Sequence, residues 1–537
     1  MERQTASARV EKGANIEEGY DEVTWIKKMY AVTMATLLYF TNYAQQYLLV
    51  GTIFGMANDL EFGATTCIVT NETLASSYAR NLNVTYDELC TLPGRCDANS
   101  TSFSPDACVI EYTGMGTLYD ILAGPVYLIV EGVSAMPITV LLQAAGVPHI
   151  ATIVALTIAW SLCTLGTAFV NSYWMVAFLR FLFGIFTGPF TTFIMAYMSL
   201  IVKPEVLALA FGAVSFGRVV GNGVGYLFVA ASIVLGWRLC YVIAGSAGIV
   251  LGLAALLMAE PPRDKQRTLN NGSNSSLMSY LKIFMEQQRA CVSEITWSVL
   301  IPVLLGSMCR CSYGFIMSFN VANYILTYFN GYNVNNLFYA ALVAGFLGCI
   351  LGGILSDRLR KNQGHRSTLS LLAGLSIAAA VIGPFTFVVD SSVFIVIHGI
   401  IIVFSDWSVV LVLAVSSDLA PADCKTLIFA LLYLFLYSFG GSFSLLVTPT
   451  TTALGLRHAL ILLCAVILTG TAVANTTALA LDSILRKHPA RVFNKWKDGM
   501  GASNGSEEIP LIAPGHTSMV LNGGTLNNDL NNMHNGT

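Results

Sequence analysis

Five charged side chains lie within stretches that otherwise look like hydrocarbon: Glu131, Arg180, Arg218, Arg310 and Asp406. A charge at the bilayer centre costs about 2.5–3.5 kcal/mol on insertion scales, so such residues line a cavity or pair with one another. Asp120 lies eleven residues before Glu131. At about 100° per residue that separation is about 1100°, or three turns and about 20°, which sets both acids on one helical face with Tyr127 between them. Fixed ion pairs between helices, Arg180 with Glu131 for example, fit these residues as well as cavity lining does, and Asp120, nearer a helix end, can simply be solvated. Three arginines favour a ligand with an anionic group, because a guanidinium fork binds carboxylate or phosphate bidentately. Asn320, Asn323 and Tyr324 either add polar contacts or serve helix packing.

No enzyme signature accompanies these residues. The chain has no G-x-x-x-x-G-K-[ST], no H-E-x-x-H and no paired C-x-x-C, and its histidines and cysteines do not cluster with metal-ligand spacing. No catalytic activity, cofactor or metal is therefore expected. Cys309-Arg310-Cys311 reads as two small apolar residues within a helix. Without an ATP site, any transport is secondary. A net charge of -3 argues neither for nor against a polyanion, and no nucleic-acid partner is expected.

The elements that must position these charges follow from composition. The chain is 55% hydrophobic and 11% charged, with a mean hydropathy of +0.65, against about a quarter charged in soluble domains. A polytopic membrane protein is the reading. Crossing about 30 Å of hydrocarbon takes about 20 helical residues. Apolar runs of that length lie near 29–52, 115–142, 151–170, 174–200, 206–233 and 238–259, and again near 296–326, 336–356, 367–389, 391–416, 426–448 and 457–481. The expected organisation is a cytosolic tail 1–28, a six-helix half 29–259, a polar linker 260–295 containing EPPRDKQRTLNNGSNSS, a second six-helix half 296–484, and a disordered cytosolic tail 485–537. No cleavable leader pattern precedes the first span, so it is expected to stay.

Lysine and arginine set the orientation. Lys27 and Lys28 precede the first span, Arg263, Lys265 and Arg267 occupy the linker, and Arg358, Arg360 and Lys361 follow the eighth span, while the alternate loops are nearly free of both residue types. Both ends and the linker are expected to face the cytosol. The opposite loop, residues 57–114, holds sequons at Asn71, Asn83 and Asn99 and four cysteines, Cys67, Cys90, Cys96 and Cys108. That combination predicts a glycosylated luminal or extracellular loop with two disulfides of open pairing. The other eight cysteines read as small core residues.

The stretch GGILSDRLRKNQGHR, residues 352–366, resembles the G-x-L-x-D-R-x-x-R turn of the major facilitator superfamily, with Gly353, Leu355, Asp357 and Arg358 in register. Asp357 is placed to face the positive N-terminal end of a neighbouring helix. The equivalent first-half turn, LLQAAGVPHIA, has no acid, arginine or lysine, so that half is expected to close by apolar packing. VAFLRFLFGIFTGPF (Arg180, Gly184, Gly188) resembles the superfamily's fourth helix. GRVVGNGVGY resembles its glycine-rich fifth helix, which allows bending and close contact between the halves. These, with LLYFTNYAQQYLLVGTIFGMANDLEF and the close of the sixth span, are most similar to spinster-type members. The resemblance implies an all-α fold of twelve transmembrane helices and alternating access to a site between the halves. It also implies a lysophospholipid-like or small organic anionic cargo carried across the lipid bilayer, with protons as a possible partner. Where spinster members carry an acid-arginine pair in the first helix and a glutamate in the fourth, this chain has Gln45 and Gln46 and then Thr187; the resemblance associates those acids with proton coupling, and the residues here can hydrogen-bond but not titrate. That loss leaves open a transport-silent receptor or partner subunit. The tail sequence SEEIPLIAPG resembles an acidic dileucine sorting signal, with Glu507 before Leu511 and Ile512. It implies adaptor binding and a lysosomal or late endosomal address, with the plasma membrane as the alternative.

Overall fold

A computed structural model describes residues 24–63, 65–69, 108–112, 117–260, 289, 296–329, 336–363, 365–388, 391–420 and 424–487. The chain divides into two compact units, Met1–Ile484 and Leu485–Thr537, and the architecture described here is that of the first. The three sequons, Cys90, Cys96, nearly all of the linker and the sorting signal lie outside the described residues.

Twelve long helical runs stand among the described residues. In the first half they are α1 (Trp25–Leu60), α2 (Thr117–Ala123 continued by Pro125–Ala144), α3 (His149–Thr167), α4 (Tyr173–Ile201), α5 (Leu207–Leu235) and α6 (Trp237–Ala254). In the second half they are α7 (Trp297–Tyr328), α8 (Asn336–Gly345 to Gly352–Gln363), α9 (His365–Ile382), α10 (Ser391–Leu419), α11 (Lys425–Tyr433 to Val447–Leu454) and α12 (Leu456–Lys487). Eleven are long and apolar enough to cross a membrane. The twelfth, α1, is 36 residues long, but Asn42, Gln45, Gln46 and four tyrosines lower its apolarity.

Local chemistry explains the breaks. Gly124 interrupts α2 where Pro125, which lacks an N–H, opens the longer segment at a helix start. Single glycines at equivalent places in the two halves, Gly236 (φ +79) and Gly455 (φ +78), turn α5 into α6 and α11 into α12, a backbone conformation that a β-carbon would strain. Both α8 and α11 contain a π-helical turn, Phe346–Leu351 and Leu434–Phe439, of the kind that recurs at functional sites.

Packing is set by small residues. A β-carbon on Gly184 would meet the Tyr127 carbonyl at 2.6 Å, and one on Gly188 the Glu131 carbonyl at 2.0 Å, so α2 and α4 touch backbone to backbone. The glycines of α5 act differently from expectation. Gly217, Gly221 and Gly225 abut Thr36, Phe40 and Tyr47 of α1 within the same half. Spaced four apart, they form one ridge, and that ridge faces α1. Contact between halves falls instead to Gly212, whose β-carbon would lie 2.2 Å from the Cys349 carbonyl of α8, and to Gly345 and Gly353 of α8.

One departure from all-helical structure lies in the first outer loop. Thr65–Val69 (β1) and Cys108–Tyr112 (β2) form an antiparallel ribbon with Cys67 opposite Ile110 and Cys108 opposite Val69. The Tyr112 N–H donates to Asn58 Oδ1 at 2.7 Å, tying the ribbon to α1. The six cysteines 163, 240, 309, 311, 349 and 464 are free thiols. Cys424 is disulfide-bonded, so the small-core reading of the eight does not hold for it.

Candidate functional site

The main cavity lies between the halves, about 180 Å³ in volume, with walls from α1, α5, α7, α10 and α11. Of the charged residues singled out in the sequence, Arg218, Arg310 and Asp406 line it. Arg218 of α5 donates to Asp406 of α10, an ion pair that spans the two halves. Arg310 of α7 makes no ion pair among the described residues: its Nη1 donates to the Ser405 hydroxyl at 2.9 Å and to the Ser405 carbonyl at 3.3 Å. Two guanidiniums and one carboxylate leave the cavity with an excess positive charge. Cys311, expected to be purely structural, lines this wall beside Arg310, because the residue after an inward-facing arginine lies only about 100° round the helix from it.

The rest of the wall was not legible as a site. Tyr39 and Tyr433 share a hydroxyl hydrogen bond of 2.9 Å across the halves, and Tyr43 and Tyr437 share another one helical turn away. Tyr433 and Tyr437 stack with an interplanar angle of 9°, the first just before the π-helical turn of α11 and the second within it. His398 lies buried against Phe394, its Nδ1 without a hydrogen-bond partner in the protein. An aromatic row at helical spacing looks the same in a core as in a cavity, and only the spacing of four between both tyrosine pairs hinted at the match.

A second group of expected site residues forms a separate, buried polar cluster inside the first half. Glu131 of α2, 1% exposed, accepts a hydrogen bond at 3.2 Å from Gln46 Nε2 of α1. Arg180 Nη1 of α4 donates to the Gln46 backbone carbonyl at 3.0 Å, and its guanidinium stands 5.5 Å from the Tyr127 ring centre. Glu131 and Arg180 therefore do not form the ion pair the sequence allowed. Gln46 stands between them, serving one with its amide and the other with its carbonyl. Glu131 Oε1, Gln46 Oε1, Arg180 Nη2 and both polar atoms of Asn42 have no hydrogen-bond partner among the described residues. Thr187 returns its hydroxyl to the Phe183 carbonyl at 3.1 Å.

Two other expected residues serve packing. Gln45 faces away from the cavity, donating to the Ala244 carbonyl at 2.7 Å and accepting from Thr164 at 2.6 Å. Asn320 bonds the Ile316 carbonyl of its own helix at 2.9 Å. The side chains of Asp120 and Asn323 lie outside the described residues.

The charged turn after α8 joins the second half to the start of α5. Asp357 accepts the N–H groups of Ala208 at 3.1 Å and Leu209 at 2.9 Å, at the start of α5. A carboxylate there satisfies orphan donors and faces the positive end of the helix dipole. Gly353 permits this approach, since its β-carbon would lie 2.9 Å from the Ala208 carbonyl. Arg360 pairs with Asp418 and donates to the Pro204 carbonyl at 3.0 Å, while Arg358 is exposed. The first-half turn is not closed by apolar contact alone. Glu260, beyond α6, accepts the N–H groups of His149 at 2.7 Å and Ile150 at 3.1 Å at the start of α3. An acid distant in sequence supplies what the turn itself lacks.

Two six-helix halves around one central cavity define the transporter class of membrane proteins. A family model described as Major Facilitator Superfamily matches residues 35–445, and the chain belongs to that family. It is an integral, multi-pass membrane protein. No curated protein matches it. Among solved structures, it is similar to a bacterial homologue of the human lysosomal transporter Spinster in an inward-facing, unoccupied conformation, at 15% identity over 86% of this chain and 99% of that chain, TM-score 0.53. The same bacterial homologue in an inward-facing, occupied conformation matches at 14% identity over 87% and 99%, TM-score 0.52. The human organic anion transporter MFSD10 matches at 10% identity over 84% and 99%, TM-score 0.54. At these identities the likeness concerns the fold.

Proposed function

We propose that the protein is a secondary or facilitative carrier of a small organic anion, working by alternating access of the central cavity to the two sides of the membrane. The observation that carries the reading is Arg310. It is a guanidinium in the cavity wall, hydrogen-bonded to Ser405 and lacking a carboxylate partner among the described residues. A buried guanidinium without a counter-ion is a strong attractor for carboxylate or phosphate. Size then narrows the cargo. A cavity of about 180 Å³ is smaller than the roughly 300–1,000 Å³ of drug-sized sites, and it favours a compact aromatic or aliphatic monoanion over a lysophospholipid. The tyrosine-rich wall suits an apolar body beside the anionic group. The organic-anion substrate class of the MFSD10 neighbour is of the same kind, at an identity that carries only the fold. With the termini cytosolic, the Asp357 and Arg360 contacts close the cytosolic end.

The test is counterflow in proteoliposomes with a panel of labelled organic anions, cations and neutral analogues. Anions are expected to exchange, and Arg310→Gln is expected to weaken their binding by roughly ten-fold or more, as loss of a charge-assisted pair does. Exchange of cations in preference, or equal anion affinity in Arg310→Gln, would overturn the reading.

A further inference from the structure

Arg310 faces two spaces. On one side is the central cavity. On the other, buried among α7, α9, α10 and α12, is a side chamber of about 20 Å³ that shares Arg310, Tyr313 and Ser405 with the cavity wall. Its remaining polar lining is Ser376, Ser408 and Thr471. Each of these three hydroxyls donates to a carbonyl of its own helix, at 2.7, 2.6 and 3.0 Å. The Tyr313 hydroxyl has no hydrogen-bond partner among the described residues, although the residue is only 3% exposed. The chamber therefore offers donors, the free phenolic O–H of Tyr313 and a guanidinium bonded only through Nη1 to Ser405, with no acid among its lining residues.

A volume of about 20 Å³ admits one particle of about water size. An isolated cation in low dielectric costs several kcal/mol unless it is neutralised, and Asp406 is already committed to Arg218. A single small anion answers both needs at once: it accepts from the Tyr313 hydroxyl and the guanidinium and offsets the surplus charge. We propose that the chamber is a binding site for a monatomic anion, of the chloride type, that serves as counter-ion to Arg310 when the central cavity holds no substrate. An organic anion reaching the same guanidinium from the cavity side then competes with it, a consequence that rests on the proposed carrier function, whereas the site itself does not.

The site is tested without organic substrate. The full-length protein is purified in detergent, and its thermal unfolding is followed while sodium chloride replaces sodium gluconate at constant ionic strength. Chloride is expected to raise Tm saturably, and bromide to do likewise. Tyr313→Phe removes one hydroxyl donor, and with a hydrogen bond worth about 1 kcal/mol it should weaken apparent chloride affinity roughly five-fold. A bromide anomalous peak between Tyr313 and Arg310 would place the ion directly. No difference between chloride and gluconate in the unmodified protein would show that the chamber holds water only, and identical chloride curves for Tyr313→Phe would move the ion elsewhere; either result overturns the proposal. A protein that responds to chloride but exchanges no organic anion keeps this site and loses the carrier reading. Organic-anion exchange without any chloride response does the reverse.

Discussion

Glu131 is the residue whose chemistry is least settled by its neighbours. It is buried, it makes no ion pair, and one of its oxygens has no partner in the protein. A lone carboxylate in such a place costs several kcal/mol unless it is paired or carries a proton. Gln46 of α1 donates to it, with Arg180 of α4 reaching the other side of Gln46, and the titratable groups that feel its charge are Tyr39, Tyr43 and Tyr47 of α1, Tyr127 of its own helix, Cys311 of α7, and Tyr433 and Tyr437 of α11. If protons are coupled to transport, this carboxyl is the group proposed to take one, since Gln45, Gln46 and Thr187 cannot titrate. Glu131→Gln is expected to abolish any acceleration of anion uptake by an inward acid gradient, measured as the ratio of initial rates with and without the gradient. An undiminished ratio in the variant would remove Glu131 from coupling. Because Arg180 bonds Gln46 rather than Glu131, adding Arg180→Gln should not restore the response.

At the scale of elements, two contacts decide whether helices meet at all. A β-carbon on Gly188 would meet first the Glu131 backbone carbonyl, which cannot swing aside as a side chain can, so Gly188→Ala forces α2 and α4 apart. Overpacking of this kind costs about 1–3 kcal/mol. Gly374 of α9 has nothing within 4 Å of its would-be β-carbon, and Gly374→Ala should be neutral or slightly stabilising through helix propensity. Thermal unfolding of the two variants side by side tests the contrast; equal Tm values would refute the backbone contact.

The other contact is the carboxylate of Glu260 at the start of α3. Burial alone would raise its pKa, but hydrogen bonds from the His149 ring and from the Ile150 and His149 N–H groups outweigh burial and hold it below the usual carboxylate range. A depressed value means that the contact's contribution is complete above the unfolded value of about 4.3 and is lost as pH falls through the folded one. Glu260→Gln is therefore expected to cost about 1 kcal/mol at neutral pH, as loss of a helix cap does. Its Tm deficit should shrink below about pH 4. A deficit independent of pH would mean that charge plays no part.

For the whole molecule the question is address and state. The contacts made by Asp357, Arg360 and the two tyrosine pairs all join one half to the other, so this conformation is one of at least two that a rocking carrier must visit. The tail motif Glu507, Leu511 and Ile512 is proposed as the lysosomal address. In cells, the unmodified protein is expected at lysosomes and the Leu511→Ala, Ile512→Ala double variant at the cell surface. Indistinguishable distributions by imaging would dismiss the signal.

The number of helices, their grouping into six and six, the family and the charged turn after α8 were all legible in the sequence. Each rests on local quantities: run length against bilayer thickness, lysine and arginine counts in loops, and motif spacing. The intramembrane charges stood out for the same reason, since each opposes its surroundings. Which charge meets which was not legible. Arg218 and Asp406 are 188 positions apart, Glu260 serves a helix start 111 positions away, and the α5 glycines face α1 rather than the opposite half. A helix that is apolar nearly all round gives no periodic signal for its rotation about its own axis. That rotation separates Asp406 and Arg310 in the cavity from Glu131 and Gln45 in the packing, and it is set only when both flanks of every helix find their partners.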